Sequence, residues 1–205
     1  MNRFFNTTGP CVPGEHYMLP ASVRCAEVFH LIERHQYFVI HAARQSGKTT
    51  LLKALASELN AGTTYRTLYC SLESVQEFNE PERGIPAVAA TLRSSIAAAR
   101  LPDPFTEGPV NTILKDGLSR LCATLDRPLI MRFDEVDCLS NGTLITFLRQ
   151  LRDGYVNRPE APFPHSCALV GMRDIRDDKA RLRPDRNTLG HRVRSIAGCV
   201  TARWI

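Results

Sequence analysis

The hydrophobic residues of this chain follow two different spacings, which predicts strands separated by helices. Short runs of apolar and β-forming residues at 37–40, 64–70, 129–133 and 167–172 have the length and composition of strands. Between them, apolar residues recur every three or four positions, as on helices that bury one face. This spacing predicts helices over residues 22–35, 48–59, 85–99, 110–125 and 141–155. Strands that alternate with helices predict an α/β fold with a mainly parallel sheet flanked by helices.

The polar stretches between these runs predict how the elements begin and end. Residues 1–21 are rich in Pro, Gly, Asn and Thr, which excludes a long helix and predicts an extended arm. Residues 71–84 are polar and are expected to be irregular. Ser22 can cap the first helix, and Ser140 or Asn141 can cap the last.

The first strand leads into a sequence that is typical of a phosphate-binding loop. The run 37–40 is followed by small and polar residues, then by Gly47, Lys48 and Thr49, where a helical pattern starts. Backbone N–H groups at such a helix start favour an anion, and a lysine there adds a full charge. The usual spacing of this motif places a glycine where this chain has Ala42, which is acceptable only if φ there is negative.

The third strand ends in two adjacent carboxylates, Asp134 and Glu135. Many strands end in a solvated acidic turn, so the pair alone does not define a function. About 85 residues after a phosphate-binding loop, however, it matches the chemistry of nucleotide hydrolysis. The aspartate would bind Mg²⁺, and the glutamate would orient and activate water.

The fourth strand is followed by Arg173, which lies at the carboxyl end of the sheet if the strands are parallel. Ligands of open α/β sheets bind beyond this end, so Arg173 is a candidate sensor of a γ phosphate. A surface arginine that caps a helix or forms an ion pair is an equally good interpretation.

Composition limits the class of protein. With 205 residues, 43% hydrophobic and 23% charged, the chain suits one globular domain. Seven scattered cysteines without a C-x-x-C pattern argue against a disulfide framework and a zinc site. The absence of a long apolar run predicts no membrane span, and we expect a cytoplasmic protein. Residues 173–205 contain eight Arg and one Lys against four Asp, which accounts for the whole net charge of +5.

Three stretches, HAARQSGKTT, RFDEVDCL and LVGMRDIRD, together resemble the additional-strand P-loop ATPases, the group of AAA+ and STAND-type NTPases. The chain is most similar to a prokaryotic family of AAA-like ATP-binding proteins, and the resemblance covers roughly residues 4–188. That family commonly lacks the first glycine of the loop, as here at Ala42. It usually has Pro where this chain has Ala43, which bears on the rigidity of the loop.

The resemblance implies ATP and Mg²⁺ as ligands in a three-layer P-loop NTPase fold. Asp134 and Thr49 would bind the metal, and Glu135, Lys48 and Arg173 would be catalytic. The residues expected to bind the nucleotide are those of the loop and the start of the helix: Ala42, Ala43, Arg44, Gln45, Ser46, Gly47, Lys48, Thr49 and Thr50.

Composition and the resemblance together predict three parts of the chain: an extended arm (1–21), an ATPase core (22–188) and an irregular basic tail (189–205). Related ATPases continue with a fifth core strand and a helical lid. We therefore expect a C-terminally truncated member in which the fifth strand and the lid are incomplete.

Three functions remain open from the sequence. The chain can be a Mg-dependent ATPase that couples its nucleotide state to a conformational change, or a nucleotide-binding remnant without turnover. It can also be a DNA-associated module that uses the basic tail, although few aromatic residues accompany its arginines. A protein partner is expected but not identified, and the oligomeric state is open.

Overall fold

The computed structural model describes residues 3–7, 9, 11–41, 47–171, 194–196 and 199–204. Its helices are α1 (Ala21–Arg24), α2 (Ala26–Glu33), α3 (Lys48–Ala61), α4 (Pro81–Ala98), α5 (Ile113–Thr124) and α6 (Asn141–Val156). Its strands are β1 (Tyr37–His41), β2 (Arg66–Ser71), β3 (Leu129–Asp134), β4 (Ser166–Gly171), β5 (Arg194–Ile196) and β6 (Cys199–Trp204).

The strands form one sheet in the order β2-β3-β4-β1-β6-β5. The first four in this order are mutually parallel, so their carboxyl ends lie at one edge of the sheet. Strand β4 lies between β1 and β3, in agreement with the additional-strand class that the sequence resembles. The predicted α/β fold with a mainly parallel sheet flanked by helices is confirmed.

Hydrophobic clusters on the two faces of the sheet give the fold its three layers. One cluster joins α4, α5 and α6 to side chains such as Phe133 and Leu169. The other joins α1, α2 and α3 to Ile40, Ile130 and Val170. Strands β3 and β4 are buried along their whole length because helices cover both faces.

The tail differs from the prediction of an irregular segment. Residues Cys199–Trp204 form a strand that pairs antiparallel with β1, and Arg194–Ile196 pairs antiparallel with that strand. Without this pairing β1 would be an edge strand with unpaired backbone groups, which favours strand addition. Strand β6 therefore lies next to β1 and extends the sheet beyond its four parallel strands. The sequence analysis expected an incomplete fifth core strand.

Two helices and the cap of a third also differ from the prediction. The expected helix over 22–35 is interrupted at Cys25 (φ −141°, ψ 57°), and α4 begins at Pro81 within the stretch expected to be irregular. Neither Ser140 nor Asn141 caps α6 with its side chain: both side chains donate hydrogen bonds to Asn79 Oδ1, at 2.5 and 2.8 Å. Long-range polar contacts of this kind leave no local signal in the sequence.

Candidate functional site

Helix α3 begins at the edge of the sheet where the parallel strands end. Gly47 precedes it with φ +80°, a left-handed conformation that glycine adopts without the strain of a side chain. Lys48 opens the helix and is 8% exposed, so its charge is held close to the protein. The remaining predicted loop residues, Ala42, Ala43, Arg44, Gln45 and Ser46, lie outside the described residues, as does Arg173.

The two residues predicted to bind a metal lie together, although 85 positions separate them in the chain. Thr49, in the first turn of α3, directs its hydroxyl at Asp134 Oδ2 at 3.4 Å. Asp134 is the last residue of β3 and is 2% exposed. A hydroxyl and a carboxylate at this separation offer the hard oxygen ligands that Mg²⁺ prefers.

The oxygens of Thr49 and Asp134 are of the type that coordinates Mg²⁺. Within the described ranges, no group of three or more His, Cys, Asp or Glu side chains could hold a metal ion. Mg²⁺ usually takes only one or two protein oxygens and completes its coordination with water and substrate phosphates. The Thr49–Asp134 pair fits that pattern.

Tyr69 is a residue of this site that the sequence analysis missed. It lies on β2, and its hydroxyl donates a 2.9 Å hydrogen bond to Asp134 Oδ2. Burial and the neighbouring Asp134 raise the pKa of the phenol, so it remains a donor. A tyrosine in a strand carries no signal of this role because the contact depends on the pairing of β2 with β3.

Arg132 places a buried charge on the same face of β3 as Asp134. Its guanidinium donates to the Leu52 carbonyl of α3 and to Thr67 Oγ1 at 3.4 Å, and it lies 5.7 Å from the centre of the Tyr69 ring. Burial lowers the pKa of Arg132 to about 10, while Tyr69 and Asp134 oppose that shift. Arg132, Tyr69 and Asp134 therefore form a connected polar row beneath α3.

Glu135 follows Asp134 in a left-handed conformation, φ 54°, which is unusual for a residue with a side chain. Its amide donates to Asp134 Oδ1 at 3.0 Å, which fixes the second oxygen of that carboxylate. Burial, Asp134 and Asp137 raise the pKa of Glu135, and Lys48 opposes them. The positive charge of Lys48 therefore favours the ionised form of Glu135.

The N-terminal arm (residues 1–21) contacts the same helix. The amide of Cys11 donates to Thr50 Oγ1 at 3.1 Å, so the hydroxyl of this predicted binding residue faces the arm. Where the arm meets α1, the amides of Ala21 and Ser22 donate to the carboxylate of Glu58 at 2.6 and 3.1 Å. Glu58 from α3, rather than Ser22, thus caps α1.

Comparisons with known proteins support the fold. No family model and no curated protein matches the chain. Among solved structures, a Walker-type ATPase of Pyrococcus abyssi is similar with a TM-score of 0.50 and 15% identity, covering 82% of this chain and 48% of that one. This similarity and the parallel sheet show the fold of the P-loop NTPases.

Two further structures are similar over most of this chain. The Aeropyrum pernix ORC1 protein, in complex with DNA, has a TM-score of 0.47 and 22% identity, covering 75% of this chain and 39% of that one. The Aeropyrum pernix ORC2 protein, in ADPNP–ADP complexes, has a TM-score of 0.45 and 17% identity, covering 80% and 43%. The chain spans less than half the length of each of the three proteins.

In the part of the chain that the structure describes, no helix combines the length and the apolar character that crossing a membrane requires.

Proposed function

We propose that the chain binds ATP with Mg²⁺ and hydrolyses it, coupling its nucleotide state to a conformational change. The observation that carries this proposal is the 3.4 Å approach of the Thr49 hydroxyl to the Asp134 carboxylate, beside the start of α3. The sequence motif and the contact are independent, because the motif could occur on a helix far from any carboxylate. Together they support a nucleotide and metal site.

The phosphates would be held by Lys48 and by backbone N–H groups at the start of α3. The loop is part of this proposal: Ala42, Ala43, Arg44, Gln45, Ser46, Gly47 and Thr50. Thr49 and Asp134 would hold Mg²⁺, which neutralises charge on the phosphate oxygens when bound.

Glu135 is the proposed general base. Its pKa is raised by burial and by Asp134 and Asp137, which makes the carboxylate a better proton acceptor than an exposed glutamate. Its backbone is held by the hydrogen bond to Asp134, so its position is tied to the proposed metal ligand. Arg173 is the proposed sensor of the γ phosphate.

The Pyrococcus abyssi protein that shares the fold is a Walker-type ATPase, and the proposal extends this activity to the present chain. The resemblance of the sequence to AAA-like ATP-binding proteins supports adenine as the base. The proposal also includes a protein partner, whose identity it does not specify.

Two substitutions test the proposal. Lys48→Ala should abolish ATP binding, because it removes the charge at the start of α3, and Lys53→Ala on the exposed side of the same helix is the matched control. Glu135→Gln should retain ATP binding and lose phosphate release, while Glu160→Gln, an exposed glutamate, should retain both. Unchanged release in Glu135→Gln would reject the assigned base. ATP binding by the wild type with no release above Lys48→Ala would favour a binding protein without turnover.

A further inference from the structure

A pocket of about 530 Å³ lies at the edge of the sheet opposite the proposed nucleotide site. Its walls come from the amino ends of β1, β3 and β4, from the end of α5 and from the loop that follows α6. Small-molecule sites have volumes in this range, and they combine an apolar lining with a few polar groups that orient the ligand. The side chains of this pocket follow that pattern.

Arg158 is held in the pocket by the backbone that precedes two strands. Its Nη1 donates to the carbonyl oxygen of His35, before β1, at 3.0 Å and to that of His165, before β4, at 3.4 Å. Its guanidinium carbon lies 4.2 Å from the centre of the Tyr155 ring. A guanidinium has five N–H donors in a planar fork, and both of these hydrogen bonds use the same nitrogen. The group therefore retains donors for an oxyanion.

The charge of the other arginine in the pocket, Arg127, is already balanced by an acidic neighbour. Its Nε lies 3.6 Å from Asp126 Oδ2, and its Nη1 donates to the Gly62 carbonyl oxygen at 3.4 Å. Arg158, by contrast, forms no ion pair with any residue that the structure describes. With its histidines neutral, the lining carries a net charge of +1, which suits a ligand with one negative charge.

Two histidine rings lie side by side in the same wall. The centroids of His35 and His165 are 4.0 Å apart. Burial, His35 and Arg158 lower the pKa of His165, and the hydrogen bond to the Ile32 carbonyl opposes this shift. Two of these causes are neighbouring cationic groups. This wall of the pocket is therefore electropositive, which favours an anion.

The rest of the lining is apolar. Phe163 and Leu129 are buried side chains of the core, and Leu125 and Pro162 extend this surface towards solvent. Burial raises the pKa of the Cys122 thiol to about 12, so this side chain is uncharged at neutral pH. An apolar group on the ligand would be removed from water against these residues.

We propose that this pocket binds a small organic carboxylate with an apolar body. Arg158 binds the two carboxylate oxygens through its guanidinium, since a planar carboxylate matches the planar fork of N–H donors. The apolar body packs against Phe163 and Leu129. The inference does not depend on the proposed function, because the two sites lie at opposite edges of the sheet.

Titration of the whole chain with 2-naphthoate and with its neutral isostere 2-naphthamide tests the proposal. We expect naphthoate to bind at a single site and naphthamide to bind about tenfold or more weakly, because only the carboxylate forms charge-assisted hydrogen bonds with Arg158. Equal affinities, or no binding of naphthoate, would overturn the proposal. Mg-ATP should leave the affinity for naphthoate unchanged, and displacement of naphthoate by Mg-ATP would also overturn it.

Arg158→Ala should weaken naphthoate binding by about tenfold and bring its affinity close to that of naphthamide. The ratio of the two affinities is informative because a general loss of structure would weaken both probes alike. Arg152→Ala, which removes an exposed arginine of α6, is the matched control and should keep the ratio of the wild type. The same ratio in Arg158→Ala as in the wild type would contradict the assigned role of Arg158.

Proton NMR of the histidine rings locates the probe in the wild type, without a variant that removes Arg158. Naphthoate should shift the ring resonances of His35 and His165, which the variants His35→Gln and His165→Gln assign. The ring of His30, whose side chain is 70% exposed on α2, should keep its resonances. Unchanged resonances of His35 and His165 at saturating naphthoate would place the probe elsewhere and overturn the proposal.

Discussion

Replacing Tyr69 by Phe isolates the hydrogen bond that holds Asp134 from β2. The substitution removes only the hydroxyl, which lies 2.9 Å from Asp134 Oδ2, and keeps the ring 5.7 Å from the Arg132 guanidinium. Asp134 is 2% exposed, so water has little access to the oxygen that loses its partner. The perturbation is therefore specific to one buried, charged acceptor.

The expected cost follows from the contacts that remain. Oδ1 keeps the 3.0 Å bond from the Glu135 amide. Among the residues that the structure describes, the hydrogen bond that Oδ2 keeps is the 3.4 Å contact with the Thr49 hydroxyl. Hydrogen bonds to charged groups contribute about 1.5–3 kcal/mol, so we expect Tyr69→Phe to lower the free energy of unfolding by about 2 kcal/mol. For a chain of this length, that corresponds to a decrease in melting temperature of about 4–8 °C.

Thermal unfolding followed by circular dichroism, with and without Mg-ATP, measures this effect. Tyr65→Phe is the matched control, because the Tyr65 ring contacts His165 rather than the carboxylate of Asp134. Mg-ATP should reduce the difference between Tyr69→Phe and the wild type, because a bound metal would give Asp134 a positive partner in both. A melting temperature for Tyr69→Phe within about 1 °C of the wild type would refute the reasoning, since the hydrogen bond would then contribute well below its expected energy.

Two further predictions concern parts of the fold away from the proposed site. Gly84→Ala should destabilise the protein by about 1–3 kcal/mol, because the added Cβ would lie 2.2 Å from Thr143 Oγ1 on α6. Gly108→Ala should leave the stability unchanged, because nothing lies within 4 Å of its added Cβ. Equal denaturation midpoints for the two variants would contradict the predicted clash at Gly84. Burial and His35 lower the pKa of His165 below its ordinary 6.5, so the stability that neutral His165 contributes is present above pH 6.5 and is lost as the pH falls below it. The urea midpoint should therefore fall more steeply between about pH 7.5 and about pH 5.5 in the wild type than in His165→Gln, and parallel curves would argue against the assignment.

The sequence predicts most of the sheet because its signals there are local. Strands β3 and β4 are short apolar runs, and their burial on both faces follows from parallel pairing. The meeting of Thr49 and Asp134 is predictable for the same reason, since a strand end and a helix start in an α/β fold share one edge of the sheet.

The polar environment of the site depends on contacts that no local pattern encodes. Tyr69 reaches Asp134 only because β2 pairs with β3 in a register that sets Tyr69 opposite Arg132. Arg132 interrupts an apolar run in the sequence, whereas in the fold its guanidinium bonds to the Leu52 carbonyl of α3. Glu58 caps α1 across a separation of more than thirty residues, which the capping pattern at Ser22 does not indicate.

The strand in the tail, Cys199–Trp204, is not predicted by the sequence for a related reason. Residues 199–204 include β-formers such as Val200, Thr201 and Trp204, but their short run has no clear period in the sequence. Antiparallel pairing with β1 gives that run its structure, since the free edge of β1 offers backbone partners.

The Mg²⁺ dependence of ATP affinity in the wild type and in Asp134→Asn tests the central claim most directly. Asn keeps the size of the side chain and removes the charge that the metal needs. We predict that Mg²⁺ raises the ATP affinity of the wild type and leaves that of Asp134→Asn nearly unchanged, while the two affinities without metal remain similar. An equal effect of Mg²⁺ on both proteins, or no ATP binding by the wild type, would contradict the assignment of the Thr49–Asp134 pair as the metal site of an ATPase.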